Sequence, residues 1–287
     1  SIFSGKKKNQ GEIMKTLRGA KNSTVKLGVQ RGNSPELLYF DVTRGDVPVN
    51  SVDVSFEAAK GIGYIKVSKF ARNTYNEFIT AIAKLKQAGC TSFVIDLRGN
   101  TGGYMDAAIN MINEFMPEGR LIVYTEGKSF PRSDVYANGT GTCKDAPIVV
   151  LTDEISASAS EIFSGAIQDN DRGTIIGRRT YGKGLVQTQM SLSDGSEMRL
   201  TIARYYTPSG RCIQKKYEMG NTDAYDQDIY NRYMHGEFDS ADSIKMDDSL
   251  KYQTVGGRTV YGGGGIMPDI FLSLIHISEP TRLGMIS

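Results

Sequence analysis

Ala146-Pro-Ile-Val-Val-Leu-Thr-Asp-Glu-Ile-Ser-Ala-Ser-Ala-Ser-Glu-Ile-Phe-Ser-Gly-Ala166 carries strand, loop and helix signals in immediate succession. It opens as a short apolar run of β-branched residues, passes through a small polar segment, and ends in apolar residues at helical spacing. Ser158-x-x-Glu161 at the start of that last part is a capping box, a helix-start signature. Strand, loop and helix in this order make one unit of an α/β core. The pattern recurs outward, with strands over 63–67, 92–97, 121–125 and 148–152 and helices over 74–88, 107–115 and 158–169. Such alternation predicts the α/β class. A second capping box, Thr74-x-x-Glu77, precedes Phe78, Ile79, Ile82 and Leu85, an apolar stripe that Gly89 ends. Downstream, 186–192 and 197–203 flank Ser193-Asp194-Gly195-Ser196 and read as a β-hairpin.

The flanks read differently. Residues 1–46 form a small module, with a helix around 11–17 and strands over 25–30 and 37–42, and Lys6-Lys7-Lys8 reads as a solvated turn. After Arg211 the chain turns polar and tyrosine-rich, and 215–260 reads as a long, mobile insertion. The opening Ser1-Ile2-Phe3 reads as a truncated start without a signal-peptide pattern. The tail LSLIHISEPTR (272–282) resembles the translated end of a sequencing-library adapter, so 272–287 is expected to be an artefact and His276 with it. Codons of the encoding DNA unlike the adapter would refute that.

Composition excludes several functions. Lys and Arg number 34 against 32 Asp and Glu, a net charge of +2, so no polyanion-binding tail organises the chain and no nucleic-acid partner is expected. No run approaches the roughly 18 apolar residues of a membrane span. Cys90, Cys143 and Cys212 are odd in number and lack CxxC spacing, so neither a disulfide framework nor a zinc site is signalled. With His235 and His276 as its two histidines, the chain has little material for a Ser-His-Asp triad. Nucleophilic chemistry here calls for another base.

Three segments could supply it. A serine at the start of the 158–169 helix meets unsatisfied backbone N–H groups able to donate to an oxyanion, although Ser158 could equally be a plain cap. Lys183 stands between Gly182 and Gly184 ahead of a strand, where the backbone can turn tightly and direct the amine inward. Burial disfavours the charged form of a lysine, and a neutral amine can deprotonate a serine; the alternative is a solvated turn lysine. In VIDLRGNTGGY (94–104), Gly102 and Gly103 would let a second N–H approach the same oxyanion. This loop is not GxGxxG, no GK[ST] follows, and Gly262–Gly265 precedes no helix, so a nucleotide site is not supported.

Taken together, GIGYIKVSKF (61–70), FVIDLRGNTGGYM (93–105), ISASASEIFSGAIQD (155–169), YGKGLVQ (181–187), ARYYTPSGRCIQ (203–214) and GRTVYGGGGIMPDI (257–270) resemble the carboxyl-terminal processing peptidases, or tail-specific proteases. The resemblance implies a Ser-Lys dyad, with Ser158 as nucleophile, Lys183 as general base and Gln187 holding the lysine. It implies an oxyanion hole from the N–H of Ala159 with that of Gly102 or Gly103. It also implies a crotonase-like protease core of repeated strand-strand-helix units over 47–271, interrupted by the polar insertion and preceded by a truncated PDZ module over 1–46. Substrates would be proteins or peptides with flexible C-terminal tails, with no cofactor and no metal, in the bacterial periplasm or cell envelope; homo-oligomerisation is left open. The competing readings are an inactive PDZ-containing scaffold and acyl-CoA chemistry on the same fold.

Overall fold

A computed structural model of the chain describes residues 9–32, 36–45, 50–217, 223, 225 and 227–274. Lys6-Lys7-Lys8, His276 and the tail from 275 onward lie outside the described residues. The chain divides into two compact units, Ser1–Val49 and Asn50–Ser287.

In the first unit, helix α1 (Gln10–Leu17) starts where Asn9 Oδ1 accepts from the N–H of Glu12 at 2.9 Å. Strands β1 (Thr24–Gln30) and β2 (Leu37–Thr43) then pair antiparallel, from Thr24 opposite Thr43 to Gln30 opposite Leu37.

The second unit is built on a six-stranded sheet in the order β14-β9-β8-β5-β4-β3. Strands β4 (Ile62–Val67), β5 (Ser92–Asp96), β8 (Ile148–Thr152), β9 (Thr174–Gly177) and β14 (Ile270–Phe271) run parallel. Edge strand β3 (Val52–Ala59) is antiparallel to β4. Parallel neighbours need long crossovers, and helices α2 (Thr74–Gln87) and α4 (Ala159–Asp169) provide them between β4 and β5 and between β8 and β9. Helix α3 (Met105–Asn113) follows β5. A second, antiparallel sheet in the order β10-β11-β6-β7 comprises β6 (Leu121–Gly127), β7 (Phe130–Tyr136), β10 (Leu185–Ser191) and β11 (Glu197–Tyr206). The mixed α/β class expected from the alternation is what forms, and β3-β4-α2 is one strand-strand-helix unit in it. Phe115 ties the layers together, meeting the rings of Phe78 on α2, Phe93 on β5 and Phe163 on α4 edge-on at 6.1–6.4 Å.

Two local readings need correction. The Thr74/Glu77 capping box does not close. Asn73 is the N-cap residue of α2, Thr74 Oγ1 accepts from the N–H of Ala71 at 2.7 Å, and Glu77 turns away to β3. There Glu77 Oε2 accepts from the N–H groups of Ser51 and Val52 at 2.7 and 2.9 Å, donors that an edge strand would otherwise leave unmet. The region 215–260, read as a long, mobile insertion, carries regular structure. It holds helix α5 (Asp228–Met234) and the antiparallel pair β12 (Lys251–Gln253) and β13 (Thr259–Tyr261). Arg232, Glu237 and Phe238 are buried. Polarity misleads here because the buried groups are paired charges, which a count of apolar residues does not register.

Candidate active site

Of the three serines at 156, 158 and 160, two are structural. Ser156 and Ser160 are fully buried, their hydroxyls donating to the carbonyls of Leu97 and Asn100 at 2.9 Å. Ser158 is half-buried and sits at the N-cap of α4 with φ 56° and ψ −113°. A serine held at positive φ is costly, of order 1–3 kcal/mol, and persists only where surrounding contacts over-determine it. Those contacts are specific. The carboxylate of Glu161 accepts from the N–H of Ser158 at 2.8 Å, and the N–H of Glu161 donates back to the Ser158 carbonyl at 2.8 Å.

Glu161 also reaches the lysine loop. Its Oε2 accepts from the N–H of Lys183 at 2.8 Å, and its Oε1 accepts from the N–H of Gly182 at 2.7 Å and from Thr180 Oγ1 at 2.5 Å. One carboxylate oxygen therefore joins the backbones of Ser158 and Lys183. A second bridge comes from the other side, where the Tyr205 hydroxyl donates to the Ser158 carbonyl at 3.1 Å and lies in hydrogen-bond contact with the Lys183 carbonyl. Burial pushes the Glu161 carboxyl above the usual carboxylate range, against four donors that favour its charged form. Burial likewise raises the Tyr205 phenol, which keeps it protonated as a donor.

Lys183 is half-buried between Gly182 and Gly184. Gly182 takes φ 89°, and a Cβ there would stand 3.1 Å from the nitrogen of Gly265, so the turn needs a glycine. Gln187 takes part in none of these hydrogen bonds among the described residues. It is exposed on β10 beyond a bulge between Val186 and Gln187, opposite Thr201, and among the described residues no hydrogen bond joins it to Lys183. Nor does one join Ser158 Oγ to Lys183 Nζ among the described residues; the contacts that bring the two residues together are the backbone ones.

The glycine loop approaches from the end of β5. Asp96 anchors it, taking Arg98 at 2.7 Å, the Tyr64 hydroxyl at 2.6 Å and Lys66 Nζ at 3.2 Å. Burial opposes the charged form of Asp96, but these partners hold its carboxyl below the usual range. Asn100 then threads the loop onto α4, its carbonyl accepting from the N–H of Ala157 at 3.0 Å and its Oδ1 from the N–H of Gly102 at 2.8 Å. Gly102 has φ 100°, and a Cβ on it would stand 2.7 Å from Ser158 Cβ and 3.0 Å from the nitrogen of Ala159. Its contribution is this close approach, because its N–H is already taken by Asn100. The N–H groups of Gly103 and Ala159 have no hydrogen-bond partner among the described residues.

Glu161, Asn100 and Tyr205 were not legible as site residues. Glu161 carried a cap signature only, and Tyr205 lies 47 residues beyond the serine whose carbonyl it holds. Asn100 carries one signal, a side-chain amide next to glycines in RGNTGG.

Residues 61–223, which contain every candidate residue from Gly102 to Gln187 and make up more than half of the chain, match the model of peptidase family S41. The chain belongs to peptidase family S41. Two similar curated relatives are the carboxyl-terminal-processing proteases of Synechocystis sp. and Picosynechococcus sp. The first is 36% identical over 207 residues, covering 71% of this chain and 48% of that protein. The second is 36% identical over 206 residues, covering 71% of this chain and 49% of that protein. The solved structure of the photosystem II D1 C-terminal processing protease matches with a TM-score of 0.56 at 27% identity, over 91% of this chain and 58% of that one. The chain spans about half the length of the curated relatives it matches. The likeness to carboxyl-terminal processing peptidases read from the sequence is borne out.

Proposed function

We propose that this S41 chain is the catalytic part of a serine endopeptidase that cleaves protein substrates near or from their C-terminal tails. Ser158 is the nucleophile and Lys183 the general base. One observation carries the reading: of the three clustered serines only Ser158 reaches the surface, and its backbone shares both a buried carboxylate and a buried phenol with that of Lys183. Catalytic groups held by a rigid surrounding shell are what proton transfer at a serine requires.

In this mechanism the neutral Lys183 amine takes the hydroxyl proton as Ser158 Oγ bonds to the scissile carbonyl carbon. The carbonyl oxygen becomes an oxyanion, stabilised by the N–H groups of Ala159 and Gly103. Collapse breaks the C–N bond and the lysine ammonium passes its proton to the leaving amine. Water, deprotonated by the same lysine, then adds to the acyl carbon, the C–Oγ ester bond breaks, and the lysine ammonium returns its proton to Ser158 Oγ. Residues 1–46 are proposed as the C-terminal part of a truncated PDZ module that engages substrate tails.

Mass spectrometry of a flexible-tailed protein incubated with the chain tests this beside Ser158→Ala and Lys183→Ala. Fragments that vanish in both variants are expected. Fragments that persist in either folded variant would refute the dyad, and no fragments from the folded parent would turn the reading to a tail-binding scaffold.

A further inference from the structure

The insertion after Gln214 leaves and re-enters the core beside the lysine loop. Its two ends are joined where the N–H of Gly263 donates to the Cys212 carbonyl at 2.7 Å and that of Gly265 to Ile213 at 2.9 Å. Between those ends it returns to grip the segment that carries Lys183. Arg232 on α5 donates to the carbonyl of Arg179 at 2.7 Å and to that of Thr180 at 3.1 Å. Its Nε also pairs with Glu237 at 2.8 Å, and Glu237 accepts from Arg179 through both oxygens, at 2.7 and 2.6 Å. Arg232 is 5% exposed and Glu237 6%, so this is a desolvated network and not a surface pair. One residue beyond Gln214, the N–H of Lys215 donates to the Gly182 carbonyl at 2.9 Å. Lys215 Nζ lies 4.0 Å from the Tyr181 ring centroid and 4.1 Å from that of Tyr225.

Residues 179–182 are thus held by Arg232, Glu237 and Lys215 of the insertion as well as by the Glu161 carboxylate. We infer that the insertion is a built-in brace for the lysine loop and that Arg232 is a positioning residue for Lys183. The inference rests on Lys183 being the general base. Guanidinium geometry explains why an arginine serves: its planar fork reaches two successive carbonyls and a carboxylate at once, which a lysine ammonium on a flexible stem does not reproduce. A base displaced by about 1 Å loses about 10²-fold in rate, so removing the grip should act on turnover.

The test compares Arg232→Met, Arg232→Lys, Lys183→Ala and a control, Arg258→Met, in the full chain with a peptide substrate. Arg258 also bridges two carboxylates, those of Asp171 and Asp269 each at 2.6 Å, but does so from a half-exposed site and bonds to no residue of the lysine loop. The expected result is a kcat lowered about 10²-fold in Arg232→Met with KM little changed. The acid limb of its pH–rate profile should move along the pH axis, Arg232→Lys should fall between it and the parent, and Arg258→Met should keep the parent profile at temperatures where all are folded. Parent kcat and parent profile in Arg232→Met, with Lys183→Ala inactive, would overturn the brace and leave the dyad standing. Equal changes in Arg232→Met and Arg258→Met would overturn it as general destabilisation. Full activity in Lys183→Ala would instead remove the base on which it rests.

Discussion

At the start of α2, Glu77 leaves its own helix and accepts from Ser51 and Val52 at the edge of the sheet, whereas at the start of α4, Glu161 accepts from Ser158 on its own helix and from Gly182 and Lys183 on a distant loop. Both helices carry the same Ser/Thr-x-x-Glu signature. Both carboxylates hold a piece of chain remote in sequence, but the first is half-buried and secures an edge strand, while the second is fully buried and joins two candidate catalytic residues. Their ionisation differs accordingly. Burial acts against the charge of Glu77, yet the Val52 and Ser51 donors hold its carboxyl below the usual range; at Glu161 burial wins. A local capping motif supplies a carboxylate near a helix start, and what the carboxylate holds depends on what the fold brings to it.

The sharpest way to break this contrast is Glu161→Gln beside Glu77→Gln. An amide in place of the Glu161 carboxylate turns a donor toward donors that now meet an oxygen, so peptide cleavage should fall about 10²-fold or more through misplacement of the proposed dyad. Glu77→Gln should leave kcat at the parent value, and a large loss of kcat there would erase the distinction. A second comparison uses glycines. Gly102→Ala forces a Cβ against Ser158 and Ala159 and should cost about 10²–10³ in rate if it displaces one oxyanion donor. Gly89→Ala, at φ 92° beyond the end of α2 with open space around it, should cost only stability, about 1–2 kcal/mol by chemical denaturation.

For Glu77→Gln itself, loss of charge-assisted hydrogen bonds to the start of β3 should lower stability by about 1.5–3 kcal/mol, read from the urea midpoint at neutral pH. The smallest effect is in pH dependence. Glu77 has a depressed folded pKa, so its contribution is present above the unfolded value of about 4.3 and lost as pH falls through the folded one. Glu161 has a raised folded pKa, so the folded state keeps a proton that the unfolded state has released, and its contribution declines as pH rises from about 4.3 through the folded value. The stability gap between parent and Glu77→Gln should therefore narrow on acidification, and that between parent and Glu161→Gln should widen. The same trend in both would contradict the opposite signs.

Much of the core was legible because its signals are local. The run 148–152 is β8 as read, the apolar stripe of α2 faces the core through Phe78, Ile82 and Leu85, and the hairpin around Asp194-Gly195 forms with Gly195 at φ 84°. Strand β3 was missed because an edge strand with Ser, Glu and Asp among its residues lacks the apolar run of its buried neighbours. Helix α5 was missed because its inward residue is Arg232, whose burial depends on carbonyls of Arg179 and Thr180 more than fifty residues earlier.

Periodicity, glycine spacing and motif blocks suffice for the α/β class, the helix start at Ser158, the glycine-flanked lysine and the family resemblance. Each of those depends on residues within a few positions of one another. The fold alone reveals which of the three serines reaches the surface, that Gly102 acts by close approach while its N–H is spent on Asn100, and that Glu161 and Tyr205 couple the serine to the lysine. The physical reason is that a buried donor or acceptor must find a partner wherever the chain brings one, and those partners lie tens of residues apart, beyond the reach of any local pattern.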